Sequence, residues 1–307
     1  MNVLVTGGAG FIGSHVVDRL VREGHAVAVV DDLSMGRREN VPAAASLHVC
    51  DIRSPELLRV VREVRPRAIV HLAAQAAVPR SVEDPQFDAS VNILGTINLL
   101  EAGRAAGTER VVYISTGGAA YGDTPVLPTP EDHPTRAISP YGVSKVTAER
   151  YLECWTGLAP MTGVSLRLAN VYGPRQRAEG EAGVVAIFAQ RLLAGKRCTI
   201  YGDGEQTRDY VYVGDVAEAA LSALTRDVAG VVNVATARET SVNGLHRLLC
   251  AALGVSREPE YAAARSGDVR RSVLDNTRAR ALLHWVPGTS LERGLVATLD
   301  SMRPPRL

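Results

Sequence analysis

The sequence of 307 residues lacks several features that would assign it to a specialised class of protein. Its four cysteines, Cys50, Cys154, Cys198 and Cys250, form no C-x-x-C pair, so neither a zinc site nor a disulfide framework is indicated. No apolar run reaches the roughly 18 residues of a membrane span, and no secretion signal precedes the first predicted strand. We therefore expect reduced and mostly buried thiols, no metal, no membrane partner and a cytoplasmic location.

A strong net charge is also lacking. The formal charge of +1 provides no extended basic surface, so nucleic acid is not an expected partner, and any recognition of phosphate must be local. Internal repeats and low-complexity segments are absent. With 46% hydrophobic and 22% charged residues, the composition is that of an ordinary globular protein.

Short runs rich in Val and Ile alternate with longer segments of helical period. The predicted strands are 2–6, 26–30, 46–50, 68–72, 110–115 and 163–168. These runs are apolar throughout and do not alternate with polar residues, which is typical of a parallel sheet covered by helices on both faces. The sequence predicts an α/β fold with a doubly wound parallel sheet.

This alternation stops near residue 172. A glycine-rich, charged stretch leads to a predicted helix near 184–194, and two later apolar runs, near 209–213 and 231–235, could return to the sheet. We predict a first domain of residues 1–172 plus about 207–236. A smaller, discontinuous C-terminal domain would then consist of 173–206 and 237–307.

A glycine-rich turn lies between the first predicted strand and a helix that begins near Phe11. Glycines in such a turn let the backbone approach a pyrophosphate, and the helix N-terminus presents free N–H groups to the anion. The predicted cofactor-binding residues of this segment are Gly7, Gly10, Phe11, Ile12 and Gly13.

Two acidic residues, Asp31 and Asp32, end the second predicted strand, about twenty residues beyond the turn. A carboxylate at this position can bind the ribose hydroxyls of NAD and repels the 2′-phosphate of NADP. Arg37 and Arg38 lie nearby and could pair with such a phosphate. The sequence favours NAD, with NADP as the alternative.

The segment that starts at Ser139 predicts a helix, with Ser139 as the N-cap and Pro140 at the first helical position. Tyr141 and Lys145 then lie one turn apart on the same face. A phenol with a pKa near 10 is a poor base at neutral pH, but a nearby ammonium and a nicotinamide cation would stabilise the phenolate. Tyr141 and Lys145 are the predicted catalytic pair.

These motifs resemble the extended short-chain dehydrogenase/reductase family, and the resemblance extends over nearly the whole chain. The other segments that carry it are Asp51-Ile52, 71–74, Asn92, Ser115-Thr116 and 167–174. The similarity is to its NAD-dependent epimerase/dehydratase group and looks closest to the UDP-glucose (galactose) 4-epimerases. The resemblance implies a Rossmann domain, a tightly held NAD and a homodimer. It also places further residues at the cofactor, namely Asp51, Ile52, Leu72, Ala73, Ala74, Asn92 and Ser115.

The second predicted domain carries a set of residues that resembles the UDP-binding parts of the same family. The resemblance implies that Arg208 and Arg265 neutralise the diphosphate and that Asp268 holds the uridine ribose. The expected substrate-binding residues of this UDP-sugar site are Asn170, Val184, Arg208, Arg265 and Asp268.

The family's epimerases oxidise C4 of the sugar with NAD and return the hydride to the opposite face of the ketone, while the Tyr base moves the proton. Related 4,6-dehydratases and decarboxylases have acidic residues before a Tyr-Gly pair, whereas the segment 116–122 here has none. The resemblance therefore implies 4-epimerisation of UDP-glucose and UDP-galactose. A dehydratase, or a regulator that binds NAD and UDP-sugar without catalysis, is the less favoured alternative.

One position departs from the family pattern, because Gly117 stands where a catalytic Ser or Thr is usual. The hydroxyl could come from Thr116 or from Ser115. Gly117 would also leave space near the sugar that could suit a C6 carboxylate, so UDP-glucuronate 4-epimerase is an alternative. The dimer that the resemblance implies would pair the helix after Tyr141 with a helix near 92–106. The apolar residues Val91, Ile93, Leu99 and Leu100 are compatible with this contact, and core packing explains them equally well.

Overall fold

A computed structural model describes residues 1–178, 183–264 and 269–303. Seven parallel strands form its central sheet: β1 (Asn2–Thr6), β2 (Ala26–Asp31), β3 (Ser46–Val49), β4 (Ala68–His71), β5 (Arg110–Thr116), β6 (Thr162–Leu168) and β11 (Gly230–Val234). Their spatial order is β11-β6-β5-β4-β1-β2-β3. This order, with a switch point beside β1, is that of a doubly wound Rossmann sheet, so the predicted fold class is confirmed.

Ten α-helices surround the sheet and extend beyond it: α1 (Phe11–Arg22), α2 (Glu56–Val64), α3 (Val78–Glu83), α4 (Pro85–Ala89), α5 (Gly95–Ala106), α6 (Pro140–Leu158), α7 (Val184–Leu193), α8 (Val213–Thr225), α9 (Val242–Leu253) and α10 (Leu291–Met302), counted within the described ranges. One core cluster packs α1 and α8 on one face of the sheet, and a second packs α2, α5 and α6 on the other. A π-helical turn, Ser90–Leu94, connects α4 directly to α5. The apolar strands are therefore buried on both faces, as expected for parallel strands.

The remaining strands are short: β7 (Asn170–Tyr172), β8 (Thr199–Tyr201), β9 (Thr207–Arg208), β10 (Tyr210–Tyr212), β12 (Thr240–Ser241), β13 (Glu260–Ala262) and β14 (Arg271–Ser272). The predicted return of 231–235 to the sheet occurs in β11, but 209–213 does not return. Strand β10 pairs with β7 instead, because β11 occupies the free edge of β6. Strand β9 lies between β12 and β14.

A third core cluster joins α7, α9 and α10 away from the central sheet. Its members include Phe188, Leu245 and Leu295, together with the buried thiols of Cys198 and Cys250. The sequence boundaries of the two predicted domains stay a prediction. Within the part of the chain that the structure describes, no helix is long and apolar enough to cross a membrane.

Candidate functional site

A cavity of about 1070 Å³ opens at the carboxyl ends of the central strands, where ligands of doubly wound sheets bind. It brings together most of the predicted cofactor and catalytic residues and one predicted substrate residue. They are Gly7, Gly10, Phe11, Ile12, Gly13, Asp31, Asp32, Asp51, Ile52, Leu72, Ala73, Ala74, Ser115, Thr116, Tyr141, Lys145 and Asn170.

The turn after β1 is shaped so that only glycine fits at its critical positions. Gly7 has a φ of +69°, and its N–H donates to the carbonyl oxygen of Val30 at 2.8 Å. A Cβ at Gly7 would lie 2.6 Å from the backbone nitrogen of Ala73, and a Cβ at Gly13 would overlap the carbonyl oxygen of Gly7. The first turn of α1 contains no acidic residue, so its positive end faces the cavity uncompensated. This cradle fits a diphosphate.

Asp31 is fixed at the end of β2 by two backbone donors. Its Oδ2 accepts the N–H of Ala9 and its Oδ1 accepts the N–H of Leu33, both at 2.9 Å. Burial raises the pKa of Asp31, and the two backbone hydrogen bonds oppose that rise. Each oxygen retains a lone pair for a ribose hydroxyl. Arg37 also lines the cavity and lies 3.6 Å from the carboxylate of Glu39.

Two arginines flank an aromatic ring on the wall near Asp51. Asp51 binds Arg53 at 2.5 Å, and this hydrogen-bonded pairing lowers the pKa of Asp51. The guanidinium carbons of Arg53 and Arg80 lie 5.1 and 4.1 Å from the ring centroid of Phe87, within cation–π range. Sequence reasoning missed Arg80 and Phe87, because no local motif links them to residue 53.

Helix α6 presents the Tyr141–Lys145 pair to this cavity. It begins as predicted, since the hydroxyl of Ser139 accepts the N–H of Gly142 at 3.1 Å. Lys145 is only 3% exposed; its Nζ donates to the carbonyl oxygen of Ile114 at 2.7 Å and lies 4.3 Å from the ring centroid of Tyr113. Burial lowers the pKa of Lys145 to about 7. The ammonium is therefore held rigidly, and its protonation at neutral pH depends on nearby charges.

The two candidate hydroxyls have different partners. Ser115 Oγ donates to Glu149 Oε1 at 2.5 Å, and Glu149 forms a buried ion pair with Arg167 at 2.6 Å. The single hydroxyl proton of Ser115 is thus committed to a carboxylate. Thr116 Oγ1 accepts the N–H of Ala119 at 3.3 Å, a bond that leaves its own proton available. This arrangement favours Thr116 as the hydroxyl that serves the cavity.

The space beside Gly117 is already filled, so the expectation that Gly117 leaves room at the sugar is wrong. A Cβ at this position would overlap Cδ1 of Leu274. Leu274 is buried and packs with Tyr121 and Ala235. A side chain at position 117 would therefore point into a hydrophobic cluster, because the chain that follows β14 crosses over this turn.

Several predicted residues do not line the cavity. Asn92 is buried behind its wall, where Nδ2 donates to the carbonyl oxygen of Gln75 at 2.8 Å. Val184 is the first residue of α7, next to Gly183, which does line the cavity. Arg208 lies in β9 and donates to the carbonyl oxygen of Thr207 at 2.8 Å. The roles of these residues stay predictions.

Arg265 and Asp268 lie outside the described residues, so their roles also stay predictions. The predicted UDP-binding set is thus represented at the cavity by Asn170 alone. Within the ranges that the structure describes, no group of three or more His, Cys, Asp or Glu side chains could hold a metal ion.

Comparison with known proteins is consistent with this geometry. The model of the NAD dependent epimerase/dehydratase family matches residues 3–235. A UDP-glucose 4-epimerase of Mycolicibacterium smegmatis is 48% identical over 309 residues, covering 99% of both chains.

Solved structures are equally similar. The UDP-glucose 4-epimerase of Thermotoga maritima, determined with UDP-glucose, has a TM-score of 0.96 and 48% identity over 98% of both chains. The UDP-glucose 4-epimerase of Thermus thermophilus, determined in complex with NAD, has a TM-score of 0.94 and 46% identity over 100% of both chains.

Proposed function

This chain belongs to the NAD dependent epimerase/dehydratase family, and on that premise we propose that it interconverts UDP-glucose and UDP-galactose by inverting C4. The observation that carries the proposal is the buried Lys145 beside Tyr141 in the same cavity as the glycine turn. Relatives named UDP-glucose 4-epimerase, similar over essentially the whole chain, support the choice of substrate.

When bound, NAD would supply the acceptor for the hydride of C4 and the donor that returns this hydride to the other face of the sugar. The chain's own residues would bind the cofactor and would move the proton. The turn at Gly7–Gly13 would hold its diphosphate and Asp31 would bind a ribose. Tyr141 accepts the proton of the 4-hydroxyl and gives it back, Lys145 stabilises the phenolate, and Thr116 donates a hydrogen bond to the 4-oxygen.

The alternatives have less support. UDP-glucuronate 4-epimerase was suggested by space at Gly117, and Leu274 fills that space. A dehydratase needs an additional acid, but the turn after β5 supplies none, and Glu149, the carboxylate behind it, is engaged by Arg167. A regulator without catalysis would not need a buried Lys145 close to its titration point.

A homodimer formed by α5 and α6 is part of the same proposal. Leu99 and Leu100 are core residues, so of the two explanations left open for them, core packing applies. Leu94, which is 61% exposed, and Val143, which is 52% exposed, support such a contact. The division into a cofactor domain and a substrate domain, and the cytoplasmic location, stay predictions; the separate core formed by α7, α9 and α10 supports the division.

The test is turnover of purified protein with UDP-galactose, with the UDP-glucose product detected by coupled oxidation. UDP-glucuronate and UDP-N-acetylglucosamine are the comparison substrates, and Tyr141→Phe is the inactive control. We expect UDP-galactose to be turned over fastest. Turnover of UDP-glucuronate alone would refute the proposed substrate but retain the reaction, and turnover of none would refute the enzyme assignment.

A further inference from the structure

Asp88 is a buried carboxylate behind the cavity wall, only 1% exposed, on α4 where this helix packs against α6. Its Oδ1 accepts from Gln75 Nε2 at 2.8 Å and from Asn92 Nδ2 at 3.1 Å. Its Oδ2 is buried and accepts no hydrogen bond. Both donors are neutral amides, so the described contacts leave the charge of Asp88 without a cation in hydrogen-bond contact.

This carboxylate belongs to the surroundings of the catalytic lysine. Asn92 Nδ2, which donates to Asp88, also donates at 3.0 Å to the hydroxyl of Ser144, the residue before Lys145. Two carboxylates act electrostatically on Lys145, and both raise its pKa against the effect of burial: Glu149 and Asp88. Such buried charges interact strongly because little water screens them.

Glu149 cannot serve as a free counter-charge. Its two oxygens accept from Arg167 Nη2 at 2.6 Å and from Arg167 Nε at 3.0 and 3.2 Å, and Oε1 also accepts from Ser115. Its negative charge is therefore largely balanced by an adjacent guanidinium. Of the two carboxylates, Asp88 is the one that has no cation in hydrogen-bond contact; the nearest cations described, Arg53 and Arg80, lie against the ring of the adjacent Phe87.

We propose that Asp88 is a positioning residue, whose uncompensated buried charge keeps the ammonium of Lys145 protonated beside Tyr141. The benefit to catalysis rests on the proposed function, in which the ammonium stabilises the Tyr141 phenolate. The electrostatic link between Asp88 and Lys145 does not depend on the identity of the substrate.

The other groups that face Lys145 do not change their charge in the relevant range. Tyr113, on β5, is fully buried, which raises its pKa well above 10. His71, on β4, bonds Thr6 and Thr96 through its two ring nitrogens, and burial lowers its pKa to about 3. Both side chains are neutral near pH 7. Among the described residues, the other ionisable neighbours are Glu149, paired as described, Tyr141 and Asp88.

The chain allows a direct measurement, because its only lysines are Lys145 and the exposed Lys196. In a Lys196→Arg parent, lysine labelled with 13C at Cε and 15N at Nζ gives a single side-chain NMR signal, and its titration reports the pKa of Lys145. Asp88→Asn is the matched change: the amide oxygen can keep both accepted hydrogen bonds at the Oδ1 position, the charge is lost, and an NH2 group takes the place of the unpartnered Oδ2.

Removal of a nearby negative charge destabilises the ammonium, so the pKa of Lys145 must fall. For one buried charge we expect a fall of about one pH unit, which reduces the protonated fraction at pH 7 roughly fivefold. The alkaline limb of turnover should move to lower pH by the same amount. Glu153→Gln, on the exposed side of α6 where Glu153 pairs with Arg150, is the control and should leave the titration unchanged.

If Asp88→Asn leaves the pKa of Lys145 unchanged, and the spectra show that the variant is folded, the proposal is overturned. If this variant does not fold, Asp88→Ala in the same parent must give the same fall. The parent itself is a further check, because a Lys145 already neutral at pH 6 would refute the proposal. If turnover is absent but the titration of Lys145 still depends on Asp88, the proposed function is rejected and the electrostatic role of Asp88 is retained.

Discussion

Replacing Gly117 by Ser tests whether the family's usual hydroxyl position is closed in this protein. The new Cβ would overlap Cδ1 of Leu274 and would lie 3.1 Å from Cδ2 and 3.2 Å from Cγ. Leu274 cannot move easily, since it is buried and packs with Tyr121 and Ala235. The variant should therefore be overpacked, and the added hydroxyl should not reach the cavity.

The expected magnitude follows from this packing. Overpacking in a closed core costs about 1–3 kcal/mol, and we expect Gly117→Ser to lower the free energy of unfolding by that amount. Leu274→Ala alone should cost about 2–5 kcal/mol, because it removes buried methyl groups and leaves a cavity. In the double variant the new side chain occupies part of this cavity, so the two costs should be less than additive by about 1–2 kcal/mol.

Urea unfolding of the four proteins measures this coupling, with the denaturant slope as a check that the transition stays two-state. Turnover supplies the second readout: Gly117→Ser should not rescue a Thr116→Val variant while Leu274 is intact. A Gly117→Ser protein as stable as the wild type, or costs that are strictly additive, would refute the close packing of Leu274 against this turn.

Three further predictions concern the cavity itself. Tyr141→Phe should leave NAD and UDP binding nearly intact but reduce kcat by about 10²–10⁴-fold in a steady-state assay. Thr116→Val should reduce turnover by about 10–100-fold with only a small loss of stability, because the hydrogen bond that it removes, from the N–H of Ala119, is long at 3.3 Å. Ser115→Ala should mainly reduce the free energy of unfolding, by about 1–3 kcal/mol. The reverse pattern would exchange the roles of the two hydroxyls. Asp31→Ala should weaken NAD binding by about 1–3 kcal/mol in calorimetry, and equal wild-type affinity for NAD and NADP would contradict the role of Asp31.

The sequence was sufficient where the determinants of structure are local. The strands of the central sheet follow from short apolar runs, and the start of α6 follows from Ser139 and Pro140, whose capping geometry depends on neighbouring residues alone. The glycine turn was predictable for the same reason at Gly13, which meets the carbonyl oxygen of Gly7 within one strand-turn-helix unit, whereas the approach of Ala73 to Gly7 comes from the end of β4. Such a unit determines its own geometry.

Determinants contributed by distant segments could not be predicted. Nothing near Gly117 in the sequence indicates that Leu274 covers it, because that contact depends on the path of the chain after β14. The failed return of residues 209–213 to the sheet has the same origin, since the edge of β6 is taken by a strand that comes later in the chain. Long-range competition for an edge or a cavity leaves no local pattern.

Helix α6 shows how a distant segment can change which carboxylate pairs with a lysine. Lys145 and Glu149 are four residues apart on this helix, and from spacing alone Glu149 would be taken as the partner of the lysine. Strand β6 instead places Arg167 against Glu149, which leaves this carboxylate mostly neutralised. A buried ammonium still requires a negative charge in its surroundings to remain protonated. Asp88 on α4, whose described hydrogen bonds come from neutral amides, is the carboxylate that we propose for this role.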